Sequence, residues 1–194
     1  MISPENIVTL DFETYYDKDY SLSKLSTSEY IRDERFKAQC VGIKQGTEDV
    51  VWVPDRHVEE ALRCVDWASS AVLAHHTQFD GFILTDVFGL YPAYYLDTLS
   101  MGRALHSVGL GASLDALARF YSLGNKTPDV LGKTKGVRDI PPELMAELGL
   151  YCAVDTQLCF DLFNVMKDQF PQSELDLINE TCRMFCRPVL QLSL

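Results

Sequence analysis

The sequence predicts an α/β layered domain built on a mixed sheet, and three observations carry that prediction. The 194-residue chain is 47% apolar, which supplies a full core for one domain. Short β-branched runs come first and then alternate with stretches of helical period. The final third is helical in pattern, with prolines only where that pattern breaks.

In chain order, Ile7-Val8-Thr9-Leu10 reads as a buried strand that runs on into Asp11-Phe12-Glu13-Thr14. Residues 15–20 are polar and aromatic and read as a loop. Ser26 or Thr27 can cap a short helix over 28–32. Residues 38–44 and 49–53 read as two strands joined through Gly46-Thr47, a hairpin that makes an antiparallel three-stranded opening with the first strand. Pro54-Asp55 starts a helix to about residue 68, with Val58, Ala61, Leu62 and Val65 on one face. Residues 71–75 form a short buried strand. A helix over 77–88 follows, with Phe79, Phe82, Ile83 and Val87 inward and Gly89 as its stop. Residues 94–96 lead into Asp97-Thr98, where Asp97 reads as the N-cap of a helix to Leu105; Ser113 caps another over 114–121. The basic, glycine-bearing stretch 124–136 has two readings. It is a solvated loop, or a mobile flap near a phosphate backbone carried by Lys126, Lys133, Lys135 and Arg138. Pro141-Pro142-Glu143 opens a long helical region to about Phe170, Pro171 breaks it, and 173–186 form the last helix. The domain is expected to span 1–187, with the apolar, extended 188–194 beginning a linker toward a further domain.

The net charge of −11 argues against gripping nucleic acid by bulk charge. It is compatible with an enzyme that reaches phosphates through bound divalent cations. No apolar run is long enough to span a bilayer, and Met1 to Asn6 show no signal-peptide pattern, so a cytoplasmic protein without membrane contact is expected. Cysteines 40, 64, 152, 159, 182 and 186 form no CxxC pair and are not spaced with the four histidines, which favours reduced thiols over zinc.

The candidate chemistry is acidic. Asp11 and Glu13 stand two apart on a strand and share a face, with Phe12 on the other. Two carboxylates held side by side repel each other, and a cation relieves this; oxygen-only ligands favour Mg²⁺ or Mn²⁺ over zinc. The competing reading is a solvated strand end. Asp80 lies just beyond a buried strand, where open α/β sheets present residues to ligands, or is simply a carboxylate favoured by a helix N-terminus. Asp155 sits among Cys152, Ala153, Val154, Leu158 and Cys159, with Tyr151 one turn back, and is hard to bury without a partner unless it faces solvent.

Taken together, Asp11-x-Glu13, Phe79-Asp80 and Tyr151-x-x-x-Asp155 resemble the three-part motif of the DEDD exonuclease superfamily, in its tyrosine branch. The histidine branch would carry His at position 150, which is Leu150. Stretches 74–84, 96–105 and 113–118 are similar to the 3′→5′ proofreading domains of family A DNA polymerases, particularly those of bacteriophages, and the likeness spans nearly the whole chain. The resemblance implies a ribonuclease H-like fold, with a mixed sheet flanked by helices. It implies a 3′→5′ exonuclease that releases nucleoside 5′-monophosphates from single-stranded or frayed DNA, using two divalent metal ions, Mg²⁺ or Mn²⁺. Asp11, Glu13, Asp80 and Asp155 would hold the ions, with Asp11 between them, and Tyr151 would orient the attacking water. Thr14 would meet the terminal sugar, and Phe12 and Phe79 are candidates for packing or base stacking. His76 stands where the family usually has Asn, on the last nucleotide. The implied partners are a single-stranded DNA 3′ end and a polymerase domain in cis or in trans, in a bacterial cell or phage-infected host. A ribonuclease D-like 3′→5′ exoribonuclease with the same ligands, and a non-catalytic nucleic-acid- or polymerase-binding module, are the alternative expectations.

Overall fold

Ile7–Thr14 forms the central strand, β1, in a computed structural model that describes residues 6–106, 108–124 and 130–188. β2 (Ala38–Gln45) pairs with it antiparallel, and β3 (Val51–Pro54) pairs antiparallel with β2. Gly46 turns the hairpin at φ 52, a left-handed conformation that glycine adopts without a Cβ clash. β4 (Ala71–Ala74) runs parallel to the other edge of β1, and β5 (Tyr94–Asp97) runs parallel to β4. The result is a mixed five-stranded sheet of order β3-β2-β1-β4-β5.

Alternation divides β1 between two layers. Val8, Leu10 and Phe12 enter one core cluster, while Ile7 enters another. Asp11 and Glu13 therefore share the Ile7 face. On the Val8 face lie α1 (Thr27–Arg32), α2 (Val58–Arg63) and α3 (Thr77–Phe82). Ser26 and Glu29 form a reciprocal capping box on α1. α2 is shorter than the sequence predicts. A single 3-10 turn, Asp55–His57, precedes it, and past its end the Trp67 indole donates to the Leu62 carbonyl at 2.8 Å within a run of turns. α3 also stops early and passes into a π turn, Ile83–Val87. The Thr85 hydroxyl there reaches the Gly81 carbonyl (3.0 Å) and the Cys186 carbonyl (2.7 Å), an intrusion that widens the local helical ladder. The changed register leaves Val87 exposed, not inward as expected.

α4 (Thr98–Leu105) and α5 (Leu114–Phe120) begin at the predicted caps, Asp97 and Ser113. The stretch from 124 is not irregular throughout: α6 (Leu131–Thr134) gives it one helical turn. That turn is tied to the loop after β1. Tyr16 donates to the Leu131 carbonyl at 2.6 Å, Gly136 N–H donates to the Tyr16 carbonyl at 2.8 Å, and the Arg138 guanidinium lies over the Tyr15 ring. Lys133 pairs with Glu147. The described part of the expected flap is thus a strap anchored beside β1. Lys126, the signal-peptide reading of residues 1–5 and most of the linker expected over 188–194 fall outside the described residues.

α7 (Pro142–Met166) crosses the sheet on the Asp11 face, and α8 (Gln172–Cys186) follows the break at Pro171. Two glycines let α7 come close. A Cβ on Gly42 would stand 2.0 Å from Thr156 Oγ1, and one on Gly149 would stand 2.2 Å from the Trp52 ring. All six cysteines are free and only Cys64 is exposed. Among the described residues no helix is long and apolar enough to cross a membrane.

Candidate active site

The site forms where β1 outruns its parallel neighbour. β4 pairs only with Ile7–Thr9 of β1 and then ends, so the next residues of β1 have an open edge on that side. The Phe12 amide on this edge donates to Asp80 Oδ1 at 2.9 Å. Asp80 thus replaces a missing strand partner. Its carboxyl is held well above the usual carboxylate range, first by burial and then by the charge of Asp11, against the pull of the Phe12 amide.

α7 closes the other side. The Cys152 thiol donates to the Asp11 carbonyl at 3.1 Å. Burial pushes that thiol up, a hydrogen bond with Cys40 adds to the effect, and the charges of Asp11 and Glu13 raise it further. Thr156 packs on Gly42, the residue that pairs with Asp11 in the β1–β2 ladder. One turn on, burial and then the charges of Asp11, Asp80 and Asp97 hold the Cys159 thiol up. Asp155 lies between Cys152 and Cys159 and is 4% exposed, so it belongs to the sheet-facing side and not to a solvent face. Tyr151 is buried beside Cys40, Val130, Leu148 and Cys152. Asp11, Glu13, Asp80, Tyr151 and Asp155 therefore come from β1, α3 and α7 toward one end of the sheet.

The residues expected to touch substrate divide. Thr14 Oγ1 shares a 2.8 Å hydrogen bond with the Tyr30 hydroxyl. Phe12 cannot stack on a base: its ring is buried and lies parallel to Phe88, centroids 6.1 Å apart. What Phe12 offers the site is its amide. Phe79 is half-buried, 6.1 Å from the Tyr30 ring. His76 is half-buried, with a left-handed backbone (φ 88, ψ 57), and its amide donates to Asp97 at 2.8 Å. His75 Nδ1 shares a 2.9 Å hydrogen bond with Thr98 Oγ1. Sequence reasoning missed Cys152, Tyr30 and the wider reach of Asp97. No local pattern links position 30 to 14, or 152 to 11.

Among the described residues no group of three or more His, Cys, Asp or Glu side chains is arranged as a metal shell. The donor chemistry nonetheless fits a hard divalent cation. Asp80 is buried beside Asp11, which is costly until positive charge arrives, and the acids offer only oxygen.

No family model and no curated protein matches the chain. Solved structures do. The catalytic core of RRP6 from Trypanosoma brucei is 17% identical with a TM-score of 0.66, covering 94% of this chain and 46% of its own. Brucella melitensis NrnC with bound Mg²⁺ is 14% identical with a TM-score of 0.64, covering 93% and 82%. Escherichia coli RNase D, an exoribonuclease involved in structured RNA processing, is 14% identical with a TM-score of 0.62, covering 95% and 46%. The chain spans under half the length of the first and third of these. It has the ribonuclease H-like α/β fold that these solved structures share, a mixed five-stranded sheet flanked by helices. The phage polymerase proofreading domains have no counterpart among these three.

Proposed function

We propose that this domain is a metal-dependent 3′→5′ exonuclease that hydrolyses the terminal phosphodiesters of single-stranded nucleic-acid ends to nucleoside 5′-monophosphates. The observation that supports it most is Asp80 seated on the Phe12 amide beside Asp11, at the end of the sheet that α7 covers with Asp155. Asp11, Glu13, Asp80 and Asp155 would hold divalent cations, Mg²⁺ or Mn²⁺, whose charge makes water a competent nucleophile and stabilises the departing 3′-oxygen. Tyr151 orients the attacking water; a neutral phenol is a weak base and positions better than it abstracts protons. Thr14, held by Tyr30, meets the terminal sugar, and His76 presents its ring to the last nucleotide.

Two substrates follow from different observations. The RNase D-like reading, with RNA as substrate, has at least as much support, because Escherichia coli RNase D, of the same fold, is an exoribonuclease. The DNA proofreading reading, with a polymerase in cis or in trans, rests on the motif stretches at 74–84, 96–105 and 113–118. The test is digestion of matched 5′-labelled RNA and DNA oligonucleotides with Mn²⁺. Wild type should shorten them from the 3′ end, and Asp11→Ala and Asp155→Ala should not, with unchanged circular dichroism. The faster substrate decides between the readings. Equal rates for Asp11→Ala and wild type would remove the nuclease assignment. Absence of Mn²⁺ binding at millimolar metal would favour a non-catalytic module.

A further inference from the structure

Asp97 was expected to cap α4, and it does: Oδ1 accepts from Leu99 N–H (3.3 Å) and Oδ2 from Ser100 N–H (3.2 Å) and Ser100 Oγ (2.5 Å). The same Oδ1 also accepts from His76 N–H (2.8 Å) and Thr77 N–H (3.1 Å), the entry to α3. One carboxylate, 3% exposed, thus serves the starts of two helices that follow two adjacent parallel strands. α3 has no cap of its own. Its N-cap is His76, in a left-handed conformation and without a side-chain cap bond, so its first amides need an acceptor from elsewhere. Asp80 stands three residues after Thr77 in a helix of only six residues. Its carboxyl reaches the Phe12 amide only while that short helix is held at the correct height and rotation.

We propose that Asp97 is a positioning residue of the active site, acting through the β4–α3 turn to set the place of Asp80. It touches no reacting atom. The metal-related consequence rests on the exonuclease reading above; the positioning itself does not.

The two oxygens separate the roles. Asp97→Ser keeps a short hydroxyl able to cap α4 but too short to reach the α3 amides. Asp97→Asn keeps Oδ1, and with it the bonds to His76 and Thr77, while losing the acceptor for the Ser100 N–H and hydroxyl. The readout is amide hydrogen exchange, followed by NMR on the metal-free protein, at Phe12, whose N–H reports the position of Asp80 directly. Asp97→Ser should speed exchange at Phe12 about tenfold or more, with the amides of the β1–β2 ladder unchanged, and Asp97→Asn should leave Phe12 protected. A second readout is the half-saturating Mn²⁺ concentration for cleavage. Asp97→Ser should raise it about tenfold, and should add nothing in an Asp80→Asn background. Phe12 protection unchanged in Asp97→Ser, or lost equally along the whole ladder, overturns the proposal. If Phe12 loosens as expected while wild type neither binds Mn²⁺ nor cuts nucleic acid, the positioning stands and the nuclease reading fails.

Discussion

An alanine at Gly42 would place its Cβ 2.0 Å from Thr156 Oγ1, 3.1 Å from Thr156 Cβ and 3.2 Å from the Cys152 carbonyl oxygen. Comfortable carbon contacts lie at about 3.5–4.0 Å. The Thr156 hydroxyl can turn aside only by giving up its 2.8 Å bond to the Cys152 carbonyl, and the carbonyl itself belongs to the backbone of α7. The helix must therefore lift by several tenths of an ångström. Overpacking of this kind costs about 1–3 kcal/mol. The lower unfolded-state entropy of alanine returns at most ~1 kcal/mol, so destabilisation wins. A net cost of about 1–2 kcal/mol means a fall in Tm of about 2–8 °C for a chain of this size. The lift also carries Cys152 and Asp155 away from Asp11, the residue paired with Gly42. A misplacement approaching 1 Å costs on the order of 100-fold in rate, so cleavage should fall far more than stability. Thermal melts and single-turnover digestion of a labelled oligonucleotide measure both. Thr156→Ala added to Gly42→Ala should recover part of each. A Gly42→Ala protein within about 1 °C and twofold of wild type would show that the seat of α7 on β2 does not govern the site.

Asp80→Asn should melt higher than wild type at pH 8 without metal, because it removes a carboxyl whose ionisation is opposed by burial and by Asp11 yet leaves an acceptor for the Phe12 amide. The Asp80 carboxyl is displaced upward in the fold, so its cost is absent below the ordinary carboxylate pKa and grows as pH rises through the displaced value. The difference in Tm should therefore close toward about pH 4, and a gap that widens on acidification would refute the assignment. Tyr151→Phe should slow cleavage about 10²- to 10⁴-fold with Mn²⁺ affinity by calorimetry unchanged; a parallel loss of affinity would make Tyr151 a support for the ligands instead. Ser26→Ala removes the hydroxyl that accepts from the Glu29 amide, leaving the backbone half of the α1 capping box, and should cost about 1 kcal/mol, read as a small drop in Tm with the specific cleavage rate intact.

The sequence alone determined what depends on neighbours within a turn or a strand. The period of two set Asp11 and Glu13 on one face and turned Phe12 to the other, as β1 shows. Ser26, Asp97 and Ser113 announced their helices because capping is a bond between residues two or three apart. The order of acidic motifs likewise pointed to the fold that the solved structures share.

Tertiary structure decided the rest, and in each case through a bond that spans the chain. Thr85 meets the Cys186 carbonyl and turns the end of the expected helix into a π turn. Tyr16 meets Leu131 and ties the described part of the 124–136 stretch down as a strap, where the sequence left a solvated loop and a flap both open. The Phe12 amide finds Asp80 because β4 stops short, and the Asp97 carboxylate takes the amides of a second helix because two parallel strands end side by side. Periodicity and capping are local and survive in the order of residues. A polar group left over by the local structure is satisfied by whatever the packed chain brings within 3 Å, and only the fold specifies that partner.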